Sequence, residues 1–246
     1  MAFGPFPVWV KTVMLHRPIE EDGTTLDRPL KTEIWYPAVQ AAVELPKNVM
    51  NFKEEAQDVD LGDKEDIIMN ADIPSIETDS YRDAEMDRSH GPYPLVIFSH
   101  GANGIRWQSV FWTIHLASHG YIVVSTDHWE NTLWDIIING YQADSIAQSF
   151  LKRPDDVIFL IDTVLGYDAD AESFYYNMID EELIGVSGHS LGGMTSIAVP
   201  CMDSRVKASV LHSPVIGVAM YIAGCDMDNY PIPSLTMGGT LDNTLG

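Results

Sequence analysis

Apolar residues fall into two spacings along the chain, and the alternation between them outlines a fold. Residues 7–16 and 30–36 are rich in β-formers and partly alternate in polarity, with the turn-like Glu20-Glu-Asp-Gly-Thr between them. They predict an antiparallel pair at a sheet edge. Tyr93-Pro-Leu-Val-Ile-Phe-Ser-His100-Gly101 is a continuous apolar run, which fits a strand buried on both faces. Helical spacing follows over 107–118, His119-Gly120 stops it, and 121–126 reads as a second buried strand closed by Asp127-His128-Trp129. A helix is predicted over 154–165, with Pro154 near its first turn. After the polar stretch 168–182 come a strand over 183–186, a helix beginning near Ser190, and short strands over 206–211 and 234–237. Strands alternating with helices predict an α/β fold, a mostly parallel sheet with helices on both faces, in a single domain over 1–246 without internal repeats.

Between 37 and 91 the pattern fades into an acidic, proline-containing insertion. Its run Asp58-Val-Asp-Leu-Gly-Asp-Lys-Glu-Asp66 offers many oxygen ligands but misses the spacing of a calcium loop, so it is read as a solvated face. Composition agrees with one large globular domain: 246 residues, 46% hydrophobic and 20% charged. The charge is lopsided, with 36 Asp plus Glu against 14 Lys plus Arg, a formal −22. That field repels phosphate backbones and anionic headgroups, which argues against nucleic-acid partners. No stretch is long and apolar enough for a transmembrane helix, and residues 1–18 lack the form of a signal peptide; a cytoplasmic protein is expected, or a secreted one if a leader was removed. Only Cys201 and Cys225 are present, so the expectation is two ordinary thiols, with a single bridge left open.

Candidate chemistry collects at the ends of the predicted strands. Gly188-His-Ser190-Leu-Gly192-Gly follows an apolar strand and opens a helix, the context of a nucleophile elbow; small residues at 188 and 192 let the backbone pass closely while the Ser190 hydroxyl points outward. An oxyanion formed by attack on a carbonyl needs preorganised donors, and the backbone N–H groups of Leu191 and Ala102 are the candidates. His100 could orient the Ala102 loop. Asp242, after a strand and two glycines, is the candidate acid partner of an imidazole, with Asp226 and Asp228 as rivals. His189 is read as a packing or hydrogen-bonding residue rather than the base. His100, His128, Trp129 and His212 are candidate pocket residues.

These stretches, together with Glu33-Ile-Trp-Tyr-Pro-Ala38, Leu116-Ala-Ser-His-Gly-Tyr121 and Arg153-Pro-Asp-Asp-Val157, resemble the α/β-hydrolase group of platelet-activating-factor acetylhydrolase-like, dienelactone-hydrolase-like and cutinase-like esterases. The resemblance implies a serine hydrolase of small-molecule or lipid-like esters that uses no cofactor and no metal. It also implies a histidine after the acid, beyond one further strand. The chain has no histidine after His212 and reaches only Gly246. Three readings follow. A C-terminal strand, helix and histidine belong to a further segment or a second chain; or His128 or His212 serves as base; or the protein binds small ligands without turning them over.

Overall fold

The computed structural model describes residues 2–217 and 223–242. Nine strands form one mixed sheet: β1 (Val8–Glu21), β2 (Thr24–Pro37), β3 (Lys47–Met50), β4 (Ile76–Tyr81), β5 (Tyr93–Ser99), β6 (Ile122–Thr126), β7 (Ile179–His189), β8 (Val206–His212) and β9 (Ser234–Met237). They lie in the order β3-β4-β1-β2-β6-β5-β7-β8-β9, and β6, β5, β7, β8 and β9 are mutually parallel. The helices include α1 (Phe52–Ala56), α2 (Glu65–Asn70), α3 (Val110–Ser118), α4 (Leu133–Asn139), α5 (Ala143–Ala169) and α6 (Leu191–Met202).

Alternate strand residues serve opposite faces of the sheet, as the pleat requires. Leu95, Ile97, Ile122 and Val124 pack with Val157, Leu160 and Ile161 of α5, whereas Phe98, Val123 and Trp35 pack with Ile114 and Ala117 of α3. Continuous apolar runs at 95–98 and 122–124 are thus strands covered on both sides.

Four expectations need correction. The β1–β2 hairpin is antiparallel and starts at the expected turn, but it is not at the sheet edge, because β4 joins β1 at Trp9 and β3 lies beyond it. Those two outer strands come from the acidic insertion, which therefore extends the sheet instead of forming only a solvated face; its Glu55 is also an ion-pair partner of Arg106 and Lys31. Pro154 stands in the interior of α5, not at its first turn. The buried set Ser149, Arg153, Asp156, Val157, Leu160, Ile161 and Val164 follows a helical stripe, and its burial carries the helix through a residue without an N–H. Cys201 and Cys225 form a disulfide rather than two thiols, since the end of α6 and residue 225 approach to a Cα–Cα distance of 5.7 Å.

Buried charge ties the layers together. Asp156, fully enclosed on α5, accepts from Arg28 Nε at 2.8 Å and Nη2 at 2.9 Å, pairs with Arg17 Nε at 2.9 Å, and meets His128 Nδ1 at 2.8 Å. These partners hold its carboxyl far below the usual range although burial pushes the other way. Among the described residues no helix is long and apolar enough to cross a membrane. Asp156→Ala would strand two arginines and an imidazole without their anion, and a loss of about 3–5 kcal/mol in chemical denaturation is expected. Asp155→Ala, one residue away and exposed, should change stability by no more than about 0.5 kcal/mol.

Candidate active site

Strand order reverses around β5: the chain leaves β5 for β6 on one side and returns to β7 on the other. At such a switch point the carboxyl ends of parallel strands frame a crevice. Here those ends are Ser99-His100 of β5, Thr126-Asp127 of β6, His189 of β7 and His212 of β8.

Ser190 sits between β7 and α6 at φ 54°, ψ −114°, a left-handed conformation that a residue with a Cβ holds only under constraint. Its N–H donates to the His212 carbonyl at 2.8 Å, and its own carbonyl accepts from Met194 N at 3.0 Å, so both sides of the bend are pinned. Two glycines make the bend possible by bulk alone. A Cβ at residue 188 would lie 2.2 Å from the Gly192 carbonyl oxygen, and one at residue 192 would lie 1.8 Å from the Ser99 carbonyl oxygen. α6 therefore begins flush against the end of β5. Leu191 is its first residue, so its N–H has no partner within the helix and lies at the positive end of the helix dipole. Ser190 is part-exposed, and among the described residues its hydroxyl makes no hydrogen bond.

The loop after β5 is held from beneath. Gly101 N–H donates to Gln108 Oε1 at 2.8 Å, and the Gly101 carbonyl accepts from His100 Nδ1 at 2.7 Å and from Gly104 N at 3.2 Å. His100 is fully buried and its Nε2 accepts the His128 N–H at 3.1 Å, which fixes the proton on Nδ1. Burial, then the Arg153 charge, pushes its pKa well below the ordinary histidine value. Ala102, between these anchors, is exposed. Arg106, missed in the sequence, pins the far end of the loop. Its guanidinium reaches Asp127 at 2.7 Å, Glu55 at 2.6 Å and Glu33 at 3.3 Å, and its backbone N–H reaches Asp127 Oδ1 at 2.6 Å. A lone basic residue inside the apolar Gly104-Ile-Arg-Trp107 stretch was the available signal.

The remaining candidates scatter. His128 is fully buried, with Nδ1 on Asp156 and Nε2 2.9 Å from Ser99 Oγ; burial lowers its pKa to about 4. Both ring nitrogens are engaged in the core, which removes His128 as a base for Ser190. Trp129 lies over Arg28, 5.8 Å from guanidinium to ring, in a separate cleft of about 320 Å³ with Met14, Pro29 and Lys31. No residue of the 188–193 elbow lines that cleft. His212 pairs in register with His189, packs edge-on to Trp112 at 5.0 Å, and buries an unpartnered Nε2. His189 is half-buried, with Nδ1 3.5 Å from Gln108 Nε2. Burial lowers its pKa, and the Asp242 carboxylate opposes that shift, so Asp242 stands within electrostatic reach of the residue preceding Ser190. Asp226 caps the short turn at 227–229 by accepting from Asp228 N and Asn229 Nδ2, as a structural Asx residue does. No group of metal-binding side chains occurs among the described residues.

A family model described as platelet-activating factor acetylhydrolase, isoform II, matches residues 4–148. The chain belongs to this family. Among curated relatives, a platelet-activating factor acetylhydrolase of Canis lupus familiaris is 26% identical over 50% of this chain and 35% of its own length. Cutinase 2 of Thermobifida cellulosilytica is 27% identical over 64% of this chain and 56% of its own length, and chlorophyllase type 0 of Chenopodium album 27% over 58% and 38%. The chain thus spans from about a third to just over half of the length of these relatives. A ferulic acid esterase from Streptomyces cinnamoneus superposes with a TM-score of 0.68 at 21% identity, over 95% of this chain and 65% of that one, and shows the same α/β-hydrolase fold.

The close approach at Gly192 yields a direct test. A methyl there meets backbone on the neighbouring strand, so Gly192→Ala should cost about 3 kcal/mol by denaturation, the upper end for overpacking. Gly166→Ala, in open space on α5, should instead stabilise by up to about 1 kcal/mol.

Proposed function

We propose that this acetylhydrolase-family chain is a serine hydrolase that cleaves carboxylic esters through an acyl-serine intermediate. The observation that carries the reading is the bend at Ser190, which places a part-exposed serine at the start of α6 beside the end of β5. In this reading a base takes the Ser190 proton as Oγ bonds to the ester carbonyl carbon. The oxyanion so formed is received by the N–H groups of Leu191 and Ala102. The carbon–oxygen bond to the alcohol then breaks, the alcohol leaves with the proton, and water repeats the sequence to free the acid and restore Ser190.

Asp242 is the proposed acid, supported by its place after β9 and by its carboxylate opposing the fall that burial causes in the His189 pKa. The base is a histidine supplied by a further segment or a second chain. Support comes from the described histidines: His128 spends both ring nitrogens on Asp156 and Ser99, and His212 packs edge-on against Trp112. For substrate, the formal charge of −22 disfavours strongly anionic esters. A cleft of about 310 Å³ lined by Phe52, Ile105, Trp107, Val110 and Leu133 adjoins Gln108 and offers room for an apolar group of a neutral ester. The names of the relatives, an acetylhydrolase and cutinases, agree with ester cleavage. The Cys201–Cys225 bridge favours an oxidising compartment over the cytoplasm.

The test is hydrolysis of a short chromogenic ester by the polypeptide as its organism makes it. Ser190→Ala should lower kcat by about 10⁴-fold or more. Asp242→Asn should lower it roughly 10²- to 10⁴-fold, while Asp226→Asn and Asp228→Asn stay near the parent. Equal turnover by the parent and Ser190→Ala would remove Ser190 from the chemistry.

A further inference from the structure

Arg153 is fully buried on α5, yet its hydrogen bonds to oxygen all go to uncharged groups in two loops at the crevice. Nη1 donates to the His100 carbonyl at 2.5 Å. Nη2 donates to the Gly101 carbonyl at 3.2 Å, to Asn131 Oδ1 at 2.5 Å and to the Asn131 carbonyl at 3.4 Å. A buried cation spent on three backbone carbonyls of loops, instead of on a carboxylate, is a costly arrangement to keep for stability alone.

Peptide geometry shows what it accomplishes. The Gly101 carbonyl and the Ala102 N–H belong to one planar trans unit and point in opposite directions. Three donors hold that carbonyl inward: His100 Nδ1 at 2.7 Å, Gly104 N at 3.2 Å and Arg153 Nη2 at 3.2 Å. The Ala102 N–H must then point outward, away from Arg153. Rotation of the unit would break all three bonds and turn a carbonyl oxygen toward the place where the substrate oxyanion develops. The unit before it is fixed as well, through Arg153 Nη1 on the His100 carbonyl and through Gly101 N–H on Gln108 Oε1.

We infer that Arg153 is a positioning residue for the reaction: with His100 it clamps the Gly101–Ala102 peptide so that the Ala102 N–H stays aimed at the oxyanion. The inference rests on the esterase reading above and adds to it a residue outside the crevice. Arginine suits the task because its planar fork reaches two successive carbonyls and an amide oxygen together, whereas a lysine ammonium would have to choose among them. Asn131 extends the clamp: its Oδ1 accepts from Arg153, its Nδ2 donates to Asn103 Oδ1 at 3.3 Å, and its own N–H returns to the His128 carbonyl at 3.0 Å.

The experiment compares Arg153→Lys, Arg153→Met, His100→Asn and His100→Leu with the parent on a short ester. The inhibitor is an alkyl trifluoromethyl ketone, whose carbonyl takes up the serine oxygen to form a hemiketal oxyanion. Both Arg153 variants should lose about 10- to 100-fold in kcat, with KM nearly unchanged, because the donor they misplace acts in the transition state. The ketone inhibition constant should weaken in proportion. Asparagine keeps an amide N–H close to the position of histidine Nδ1, so His100→Asn should recover most of the activity lost in His100→Leu. The His100 pair carries the test where a buried-arginine variant fails to fold. A purely structural role lowers the number of active molecules and leaves the ketone affinity of the survivors unchanged; that result, or a kcat within about twofold of the parent in both Arg153 variants, overturns the clamp. Parent turnover that survives Ser190→Ala overturns the esterase reading and the clamp with it.

Discussion

One steric contact governs the architecture around the crevice: the bare Cα of Gly192 against the backbone of Ser99 and His100. A side chain at 192 would collide with a carbonyl oxygen at 1.8 Å, and one at 188 would collide with Gly192 itself at 2.2 Å. Without those atoms α6 can begin where β5 ends, and the chain must turn so sharply that Ser190 takes a positive φ. The strain of that turn, of the order of 1–3 kcal/mol, is held by the buried helix behind it, in which every residue from Leu191 to Pro200 is buried. The helix start, the part-exposed Ser190 and a Leu191 N–H without a partner in its helix are three aspects of one packing event.

The second organising feature is an inversion of charge. The surface carries the acidic surplus, while Arg28, Arg106 and Arg153 are wholly buried beneath the loops. Arg28 meets Asp156 and joins β2 to α5; Arg106 meets Asp127, Glu33 and Glu55 and joins the loop after β5 to the insertion. Of the three, Arg153 is the one whose hydrogen bonds to oxygen go to carbonyls and an amide. Loops built from glycine and asparagine would otherwise sample several conformations. These cations tie them to a rigid sheet and helix, which is how a polar backbone N–H can be aimed without a regular element to hold it.

Periodicity in the sequence conveyed the parallel half of the sheet well, because strands covered on both faces have continuous apolar runs. The 93–99 and 122–126 strands are visible in this way, whereas the 206–212 strand is only partly covered, α3 shows by helical spacing and the elbow at 188–193 by its glycines. The insertion was not visible: β3 and β4 are short, half-exposed outer strands, so their polarity resembles that of a loop. Pro154 misled because a proline usually marks a helix start, and only the buried stripe on either side shows that α5 continues through it. The bend at Ser190, with its flanking glycines, has a local signature and could be read directly. His100, His128, Arg106 and Arg153 could not be sorted, since their roles depend on partners 21 or more residues away. His128 has the residue type expected of a base but spends both nitrogens on Asp156 and Ser99 inside the core.

The most direct test of the central claim is covalent labelling with an alkyl fluorophosphonate, followed by mass-spectrometric mapping of the modified peptide. A serine activated within a working hydrolase displaces fluoride and retains the phosphonyl group, whereas an ordinary surface hydroxyl does not. On the polypeptide as its organism makes it, one phosphonyl group per molecule is expected, on Ser190, and none on Ser190→Ala. An unmodified Ser190, or a label carried by another residue, would contradict it.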